Sequence, residues 1–156
     1  DIEAFDGAAW PVLREAELRR RGKDPVFHLQ PHLQLLDLAY PVDNLLLRIR
    51  RNSEPESDIV SNTVIEITRR RRAKRLSLPR PRNVWLVVYR LDDTVYFKRV
   101  EAEAFALLRA LREGKKLSEA IEAAFEKSSP SAKQRAAKLR KWFSNWASLG
   151  WFCKPA

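Results

Sequence analysis

Two runs of β-branched and aromatic residues decide the fold of this chain: Val84-Trp85-Leu86-Val87-Val88-Tyr89-Arg90 and Thr94-Val95-Tyr96-Phe97-Lys98-Arg99-Val100. Residues of these types favour strands, because their side chains pack well on a pleated surface. The dipeptide Asp92-Asp93 between the runs suits a tight turn. The sequence therefore predicts a β-hairpin.

After the hairpin, the apolar residues recur at helical spacing. Three stripes follow one another: Ala104, Leu107, Leu108, Leu111; then Leu117, Ile121, Ala124, Phe125; then Ala132, Ala136, Leu139, Phe143, Trp146. Gly114 sits where the first helix needs a C-terminal cap, Ser129 or Ser131 can cap the third, and Pro130 is tolerated in its first turn. Trp151-Phe152 is typical of a short returning strand. We therefore expect an α+β fold: a winged-helix-like domain, made of a β-hairpin or small antiparallel sheet plus three helices, with an N-terminal helical arm.

Upstream of the hairpin, the chain divides into two further segments. Residues 1–31 predict a helical arm broken at Gly7 and Pro11, the tail of an upstream helical domain, with a loop from residue 22 onward. The first residue is Asp rather than Met, which indicates a piece of a longer protein. In residues 32–83, the sequence predicts a strand or helix that ends at Pro41, followed by a short helix capped by Asp43. An extra strand at 64–67 and an Arg-rich loop are predicted to follow. Residues 84–156 form the predicted winged-helix-like domain.

The chain is strongly basic, with 30 Lys and Arg against 20 Asp and Glu. A net charge of +10 favours polyanions or an acidic partner. Much of this charge lies in the Arg-rich loop, whose cations are Arg69, Arg70, Arg71, Arg72, Lys74, Arg75, Arg80 and Arg82. A solvated loop without function and a contact for a polyanion or partner protein are equally good interpretations of it.

The motifs that carry catalysis or cofactor binding are absent from the sequence. It contains no GxGxxG, P-loop, HExxH, CxxC or GxSxG pattern. His28 and His32 are four residues apart, but Pro31 interrupts a helix between them, so packing or surface roles are favoured over a metal site. A single cysteine, Cys153, excludes an internal disulfide and fits a reducing compartment and a packing role. No run approaches 18 apolar residues, so no membrane contact is predicted. We expect a binding protein that is not an enzyme.

A winged helix can serve two unrelated purposes. It can lay its third helix in a DNA major groove, here with Lys133, Arg135, Lys138, Arg140 and Lys141 on phosphates and the Arg-rich loop as a basic arm. It can also offer a strand edge to which an extended peptide adds as another strand. Outside Gln134 and Arg135, the third helix has no clear cluster of base-reading residues, which counts against the DNA reader.

Five stretches of the chain resemble the C-terminal half of the HvfC/BufC family: Glu3-Ala4-Phe5-Asp6-Gly7-Ala8, Gln30-Pro31-His32-Leu33-Gln34-Leu35-Leu36, Tyr40-Pro41-Val42-Asp43, the hairpin strands, and Glu103-Ala104-Phe105-Ala106-Leu107-Leu108 to Gly114. These bacterial proteins, often labelled DNA-binding domain proteins, and their relative MbnC are regarded as partners of multinuclear non-haem iron-dependent oxidative enzymes, which modify cysteines in ribosomally made precursor peptides. The family has His-Pro where this chain has Gln30-Pro31. The Arg-rich loop resembles an insertion. Of the family's N-terminal helical domain, the resemblance leaves only the last helix, expected at Ile2 to Ala9.

Residues 95–152 also resemble the PqqD-type element, a small winged helix that captures leader peptides by strand addition. This resemblance implies that a leader would pair with the backbone of Val95, Tyr96, Phe97, Lys98, Arg99 and Val100, and pack against Leu139, Trp142, Phe143 and Trp146. Trp142 is expected to reach the peptide, since it lies beside the stripe of the third helix. The helix cations Lys133, Arg135, Lys138 and Lys141 would then meet an acidic leader or enzyme surface.

Together the two resemblances imply a non-catalytic, cytoplasmic bacterial partner protein in ribosomal peptide natural-product biosynthesis. It would bind a Cys-containing precursor peptide and dock it to the iron enzyme. No cofactor is expected in this chain, and the iron would belong to the partner enzyme. The alternatives are a DNA-binding winged-helix transcriptional regulator and a scaffold between proteins.

Overall fold

The predicted hairpin is present in the computed structural model, which describes residues 10–20, 22–53, 79–92 and 94–154. Its strands are β3 (Val84–Leu91) and β4 (Thr94–Val100), and they pair antiparallel from Trp85 opposite Val100 to Leu91 opposite Thr94. Asp92 at the turn has a φ of 47°. Tight hairpin turns require such positive values, and Asp tolerates them better than most residues.

The other elements are α1 (Glu15–Arg19), β1 (His28–Leu29), β2 (Gln34–Leu38), α2 (Val42–Ser53), α3 (Ala102–Arg112), α4 (Leu117–Phe125), α5 (Ala132–Ser148) and β5 (Phe152–Cys153). One sheet has the order β2-β3-β4, and a second pairs β1 with β5 antiparallel. The predicted mixed α+β fold, compatible with a winged-helix-like small domain, is therefore confirmed.

The chain divides into two compact units. The first combines residues 1–37 with residues 85–156, and the second comprises residues 38–84. In the second unit, α2 begins at Val42, so Asp43 lies in its first turn and does not cap it as predicted. This helix continues through the arginines to Ser53, in keeping with the good helix propensity of Arg. The predicted strand at 64–67 and most of the Arg-rich loop, residues 69–78, lie outside the described residues.

In the first unit, the predicted helical arm is wrong over residues 10–14. This segment is extended, because its backbone pairs with β5: Leu13 N donates to the Phe152 carbonyl (3.0 Å), and Lys154 N donates to the Pro11 carbonyl (2.9 Å). Only α1 is helical in the described part of the arm. The expected loop from residue 22 contains β1, so that residues 10–13 and 28–30 border the same C-terminal strand. The predicted arm residues 1–9 lie outside the described chain.

The three C-terminal helices form as predicted. Gly114, with a φ of +78°, ends α3 and donates its N–H to the Leu111 carbonyl (3.0 Å). Ser131 rather than Ser129 caps α5: its hydroxyl accepts from Gln134 N (3.3 Å), and Gln134 Oε1 accepts from Ser131 N (3.0 Å). This reciprocal pair is a capping box. Pro130 precedes the cap rather than lying in the first turn.

The core of the first unit is an aromatic cluster between the sheets and the helices. Its rings are Phe27, Tyr89, Phe125, Trp142, Phe143, Trp146, Trp151 and Phe152, with neighbouring centroids 5.3–6.2 Å apart where they touch. Trp146 is central, since it contacts Trp142, Phe143, Trp151 and Phe152. Large aromatic side chains dominate the energetics of such a core, because each buries a large apolar area. The cluster fixes α5 against β5 and β3.

Candidate functional site

The strand β4 lies at the edge of its sheet. The order β2-β3-β4 leaves one side of β4 unpaired by any strand in the described ranges. Val95 is 68% exposed and Tyr96 43% exposed, while Phe97 and Lys98 are half-buried and Arg99 is exposed. Such an edge presents backbone N–H and C=O groups that can pair with a further strand. Within the described ranges, the six predicted peptide-pairing residues of β4 therefore lie along one unpaired strand edge.

The side chain of Lys138 connects α5 to the end of this strand. Its Nζ lies 2.9 Å from Glu101 Oε2 and 3.2 Å from Glu103 Oε1, and Glu101 directly follows β4. The hydrogen bond to Glu101 is the main cause that raises the pKa of Lys138, with the bond to Glu103 contributing in the same direction. The ammonium also lies 5.7 Å from the centroid of the Trp142 ring. Lys138 therefore connects α5 to the residue that follows the edge strand.

The two tryptophans of the predicted peptide site lie in the core. Trp142 is 7% exposed and Trp146 is 1% exposed. The Trp142 ring stacks on Phe125 and on Trp146, with ring centroids 5.9 Å and 6.1 Å apart. The expectation that Trp142 stands outside the core is wrong, because its ring is buried and contacts both Phe125 and Trp146. These rings belong to the core that supports α5.

Leu139 and Phe143, the other two predicted contacts on α5, are half-buried and line a cleft of about 640 Å³. The cleft lies between α1, α4 and α5, and Leu18, Phe27, Leu117 and Ile121 complete its apolar wall. The ring of Phe143 packs on the rings of Phe27 and Phe152, with centroids 5.4 Å and 5.3 Å apart. The structure therefore does not bring Leu139 and Phe143 together with β4 in one groove.

The predicted cations on α5 fall into two groups. Lys138 is paired as described, and the Arg135 guanidinium lies 5.2 Å from the centroid of the Phe125 ring with its Nε buried. Lys133, Arg140 and Lys141 are exposed. The cations predicted in the Arg-rich loop, Arg69, Arg70, Arg71, Arg72, Lys74 and Arg75, lie outside the described residues.

Cys153 and the two histidines occupy structural positions. Cys153 is fully buried in β5, opposite His28 of β1, and burial raises the pKa of its thiol to about 11. At neutral pH this thiol is protonated and therefore a poor nucleophile. His28 and His32 are half-buried. Within the described ranges, no cluster of three or more His, Cys, Asp or Glu side chains could hold a metal ion.

Sequence reasoning missed several residues that build the scaffold. Gln30 is 2% exposed; its backbone N donates to the Trp151 carbonyl (2.9 Å) and its Nε2 to the Trp10 carbonyl (2.9 Å). Asp24 accepts from Ser118 N (2.9 Å) and Ser118 Oγ (2.8 Å), which caps α4 from a distant loop and lowers the pKa of Asp24. No local sequence pattern predicts these long-range contacts, because their partners lie far away along the chain.

None of the helices in the described residues has the length and apolarity needed to cross a bilayer. Comparison of the chain with protein-family models, with curated proteins and with solved structures gives no match.

Proposed function

We propose that this chain is a non-catalytic partner protein that binds the leader of a Cys-containing precursor peptide by strand addition to β4. It would dock the peptide to a multinuclear non-haem iron-dependent oxidative enzyme, in the cytoplasm of a bacterium. The observation that carries the proposal is the position of β4, an edge strand with one side open among the described strands. The iron belongs to the partner enzyme, and this chain supplies recognition alone.

The side chains of β4 suggest how a leader would be selected. Tyr96 stacks on Tyr89 across the hairpin, with ring centroids 5.7 Å apart, and remains partly exposed. It alternates along the strand with Val95 and Phe97, so an added strand meets apolar side chains on both faces of the sheet. Lys98 and Arg99 follow and favour carboxylates. The main-chain bonds would supply affinity, and this apolar-then-cationic order would supply specificity.

The proposed contact set is smaller than the resemblance implies. It comprises residues 95–100, because Trp142 and Trp146 are buried and Leu139 and Phe143 line the cleft between α1, α4 and α5. The helix contributes through Lys138, whose ion pairs with Glu101 and Glu103 fix the end of the edge strand.

A DNA-binding regulator is the second candidate, supported by the exposed Lys133, Arg140 and Lys141 on a helix without acidic residues. It is disfavoured because two of the five helix cations are otherwise engaged: Lys138 with two carboxylates and Arg135 with the Phe125 ring. Phosphate binding would have to compete with these contacts.

Co-purification tests the proposal. The chain is expressed with any iron enzyme and Cys-containing precursor peptide whose genes flank its own, and leader affinity is measured at 50 and 200 mM salt. We expect a stable complex whose affinity changes little with salt. Binding to several DNA phosphates would instead lose about 10³-fold or more over this range. DNA binding of that kind, without a peptide complex, would support the regulator and refute the proposal.

Proline substitutions in β4 locate the binding surface. Neighbouring residues of an antiparallel strand alternate in the direction of their N–H groups, so one of Tyr96→Pro and Phe97→Pro removes an N–H that points away from β3. This variant should keep its fold, because proline is tolerated on the open side of an edge strand, and should bind the leader at least tenfold more weakly, about 1.4 kcal/mol. Wild-type affinity in the folded variant would contradict strand addition.

A further inference from the structure

The cleft between α1, α4 and α5 plays no part in strand addition to β4. Its wall is apolar, formed by the buried Leu18 and Phe27 and the half-buried Leu117, Ile121, Leu139 and Phe143. The volume of about 640 Å³ exceeds that of a packing defect and lies in the range of ligand pockets. Half-buried apolar residues around an open cleft mark a site where another apolar group can be covered.

A second hollow, of about 490 Å³, continues the cleft along α5. The two share Glu15 and Ser144. The second hollow is lined by Arg14 and Lys141 and by the polar side chains of Asn145 and Ser148. We call the two together the α1/α5 surface. In this surface, the apolar cleft adjoins the second hollow, whose lining is polar and cationic.

The charged residues of the α1/α5 surface indicate the chemistry of its occupant. Arg140 lines the apolar cleft, Arg14 and Lys141 line the second hollow, and Glu15 is the one acidic residue that lines either. The helix α5, residues Ala132–Ser148, has no acidic side chain in its sequence. The lining of the two hollows therefore has three cations and one carboxylate. Such a surface is complementary to a partner that carries carboxylates beside a stripe of apolar side chains.

We propose that the α1/α5 surface docks an acidic amphipathic helix of a partner protein. Large apolar side chains on one face of that helix would enter the cleft, while flanking Asp and Glu residues would meet Arg14, Arg140 and Lys141. This is the helix-in-groove mode of recognition. It goes beyond peptide capture at β4 and does not depend on it. A chain with both sites would hold a peptide on its edge strand and a protein partner on another flank of α5.

Two synthetic helices test this site. Both are about 18 residues long, five helical turns, held helical by a staple, with the same leucine stripe. One carries Glu at the flanking positions and the other carries Lys. Each is titrated into the ¹⁵N-labelled chain. We expect the Glu helix to bind at least tenfold more tightly, about 1.4 kcal/mol, and to shift the amides of Ile121, Leu139 and Phe143. Equal binding of the two helices, or shifts confined to β4, would overturn the proposal.

Charge reversals on α5 supply the matched control. Arg140→Glu alters a residue that lines the cleft, whereas Lys133→Glu makes the same change at an exposed position of the same helix that lines neither hollow. Arg140→Glu should weaken the Glu helix several-fold and Lys133→Glu much less. Equal effects would mean general attraction to a basic protein and would refute a defined site.

Two further measurements distinguish other occupants. The folded β4 proline variant should bind the Glu helix as the wild-type chain does, which separates this site from leader capture. Vesicles of anionic phospholipid are titrated in parallel. If they shift the amides of the α1/α5 surface while the Glu helix does not, the surface recognises a membrane, and the proposal of a protein helix is wrong.

Discussion

Lys138 Nζ lies 2.9 Å from Glu101 Oε2, so the middle of α5 is joined by an ion pair to the residue that follows β4. Glu103 Oε1 lies 3.2 Å from the same ammonium. The pair couples the two elements that a winged helix uses for recognition, the edge strand and the last helix. The position of β4 relative to α5 therefore depends on a surface electrostatic contact as well as on the aromatic core.

Lys138→Met tests this contact. The methionine keeps the alkyl packing near Trp142 but removes the charge, so the free energy of unfolding should fall by at most about 1 kcal/mol, because the pair is solvent-screened. Lys138→Arg should recover most of the loss. Urea unfolding at pH 7 measures both variants. A loss of several kcal/mol, or no recovery with arginine, would contradict a screened ion pair.

The same contact should give a pH dependence at alkaline pH. The pKa of Lys138 is raised above its ordinary value of 10.5 by its bonds to Glu101 and Glu103. A raised pKa in the folded state means that the stabilisation is fully present below pH 10.5 and is lost as the pH rises through the folded-state value. The difference in stability between wild type and Lys138→Met should therefore shrink in that window. A constant difference would contradict the assignment.

Trp146→Ala should be the most damaging single truncation in the helices. The ring is 1% exposed and contacts four other aromatic rings, so its removal leaves a cavity in the core that costs about 3–5 kcal/mol. Val95→Ala, at a position 68% exposed, should change stability by less than about 0.5 kcal/mol. Denaturant unfolding of both variants checks the contrast, and similar losses would mean that Trp146 is not central.

Gly114→Ala isolates a purely conformational cost. An added Cβ would meet no atom within 4 Å, but the φ of +78° is unfavourable for alanine, so we expect a loss of about 1–2 kcal/mol. Gly22 provides the control: its added Cβ also meets nothing within 4 Å, and its φ lies outside the strained range. Gly22→Ala should be neutral or stabilising by up to about 1 kcal/mol. Equal effects on the melting temperature would refute the C-cap at Gly114.

Cys153 should resist thiol reagents while the protein is folded. Burial raises the pKa of the thiol to about 11 and also blocks access to it. A disulfide reagent at pH 8 should therefore react slowly with the native chain and rapidly in denaturant. The reaction rate depends on the fraction of Cys153 that is thiolate and on the exposure of its sulfur, and unfolding raises both. Fast reaction of the native chain would show that β5 detaches readily from β1.

Local patterns predicted the elements whose partners are close in sequence. The hairpin, the Gly114 cap and a serine cap at the start of α5, for which Ser129 and Ser131 were the candidates, each depend on residues only a few positions apart. The strand β1 was missed because its partner, β5, lies at the other end of the chain. Asp24 was missed for the same reason, since its acceptor role depends on Ser118.

The candidate site was predicted in part. The residues of β4 were identified because strand propensity and turn position define an edge candidate. The exposure of Trp142 was predicted wrongly. The spacing of a helical stripe gives only the approximate direction of a side chain around the helix axis. Whether a ring beside the stripe is buried depends on tertiary contacts, here those with Phe125 and Trp146. The cleft at Leu139 and Phe143 depends on Leu18 and Phe27, which no helical period connects to α5.

Amide hydrogen exchange along β4, with and without the leader peptide, tests the central claim most directly. In the free chain, the amides that point away from β3 should exchange quickly, since no described strand pairs with that edge. On addition of a leader peptide that binds the chain, alternate amides among residues 94–100 should become protected. A leader that binds while every β4 amide exchanges as before would contradict strand addition.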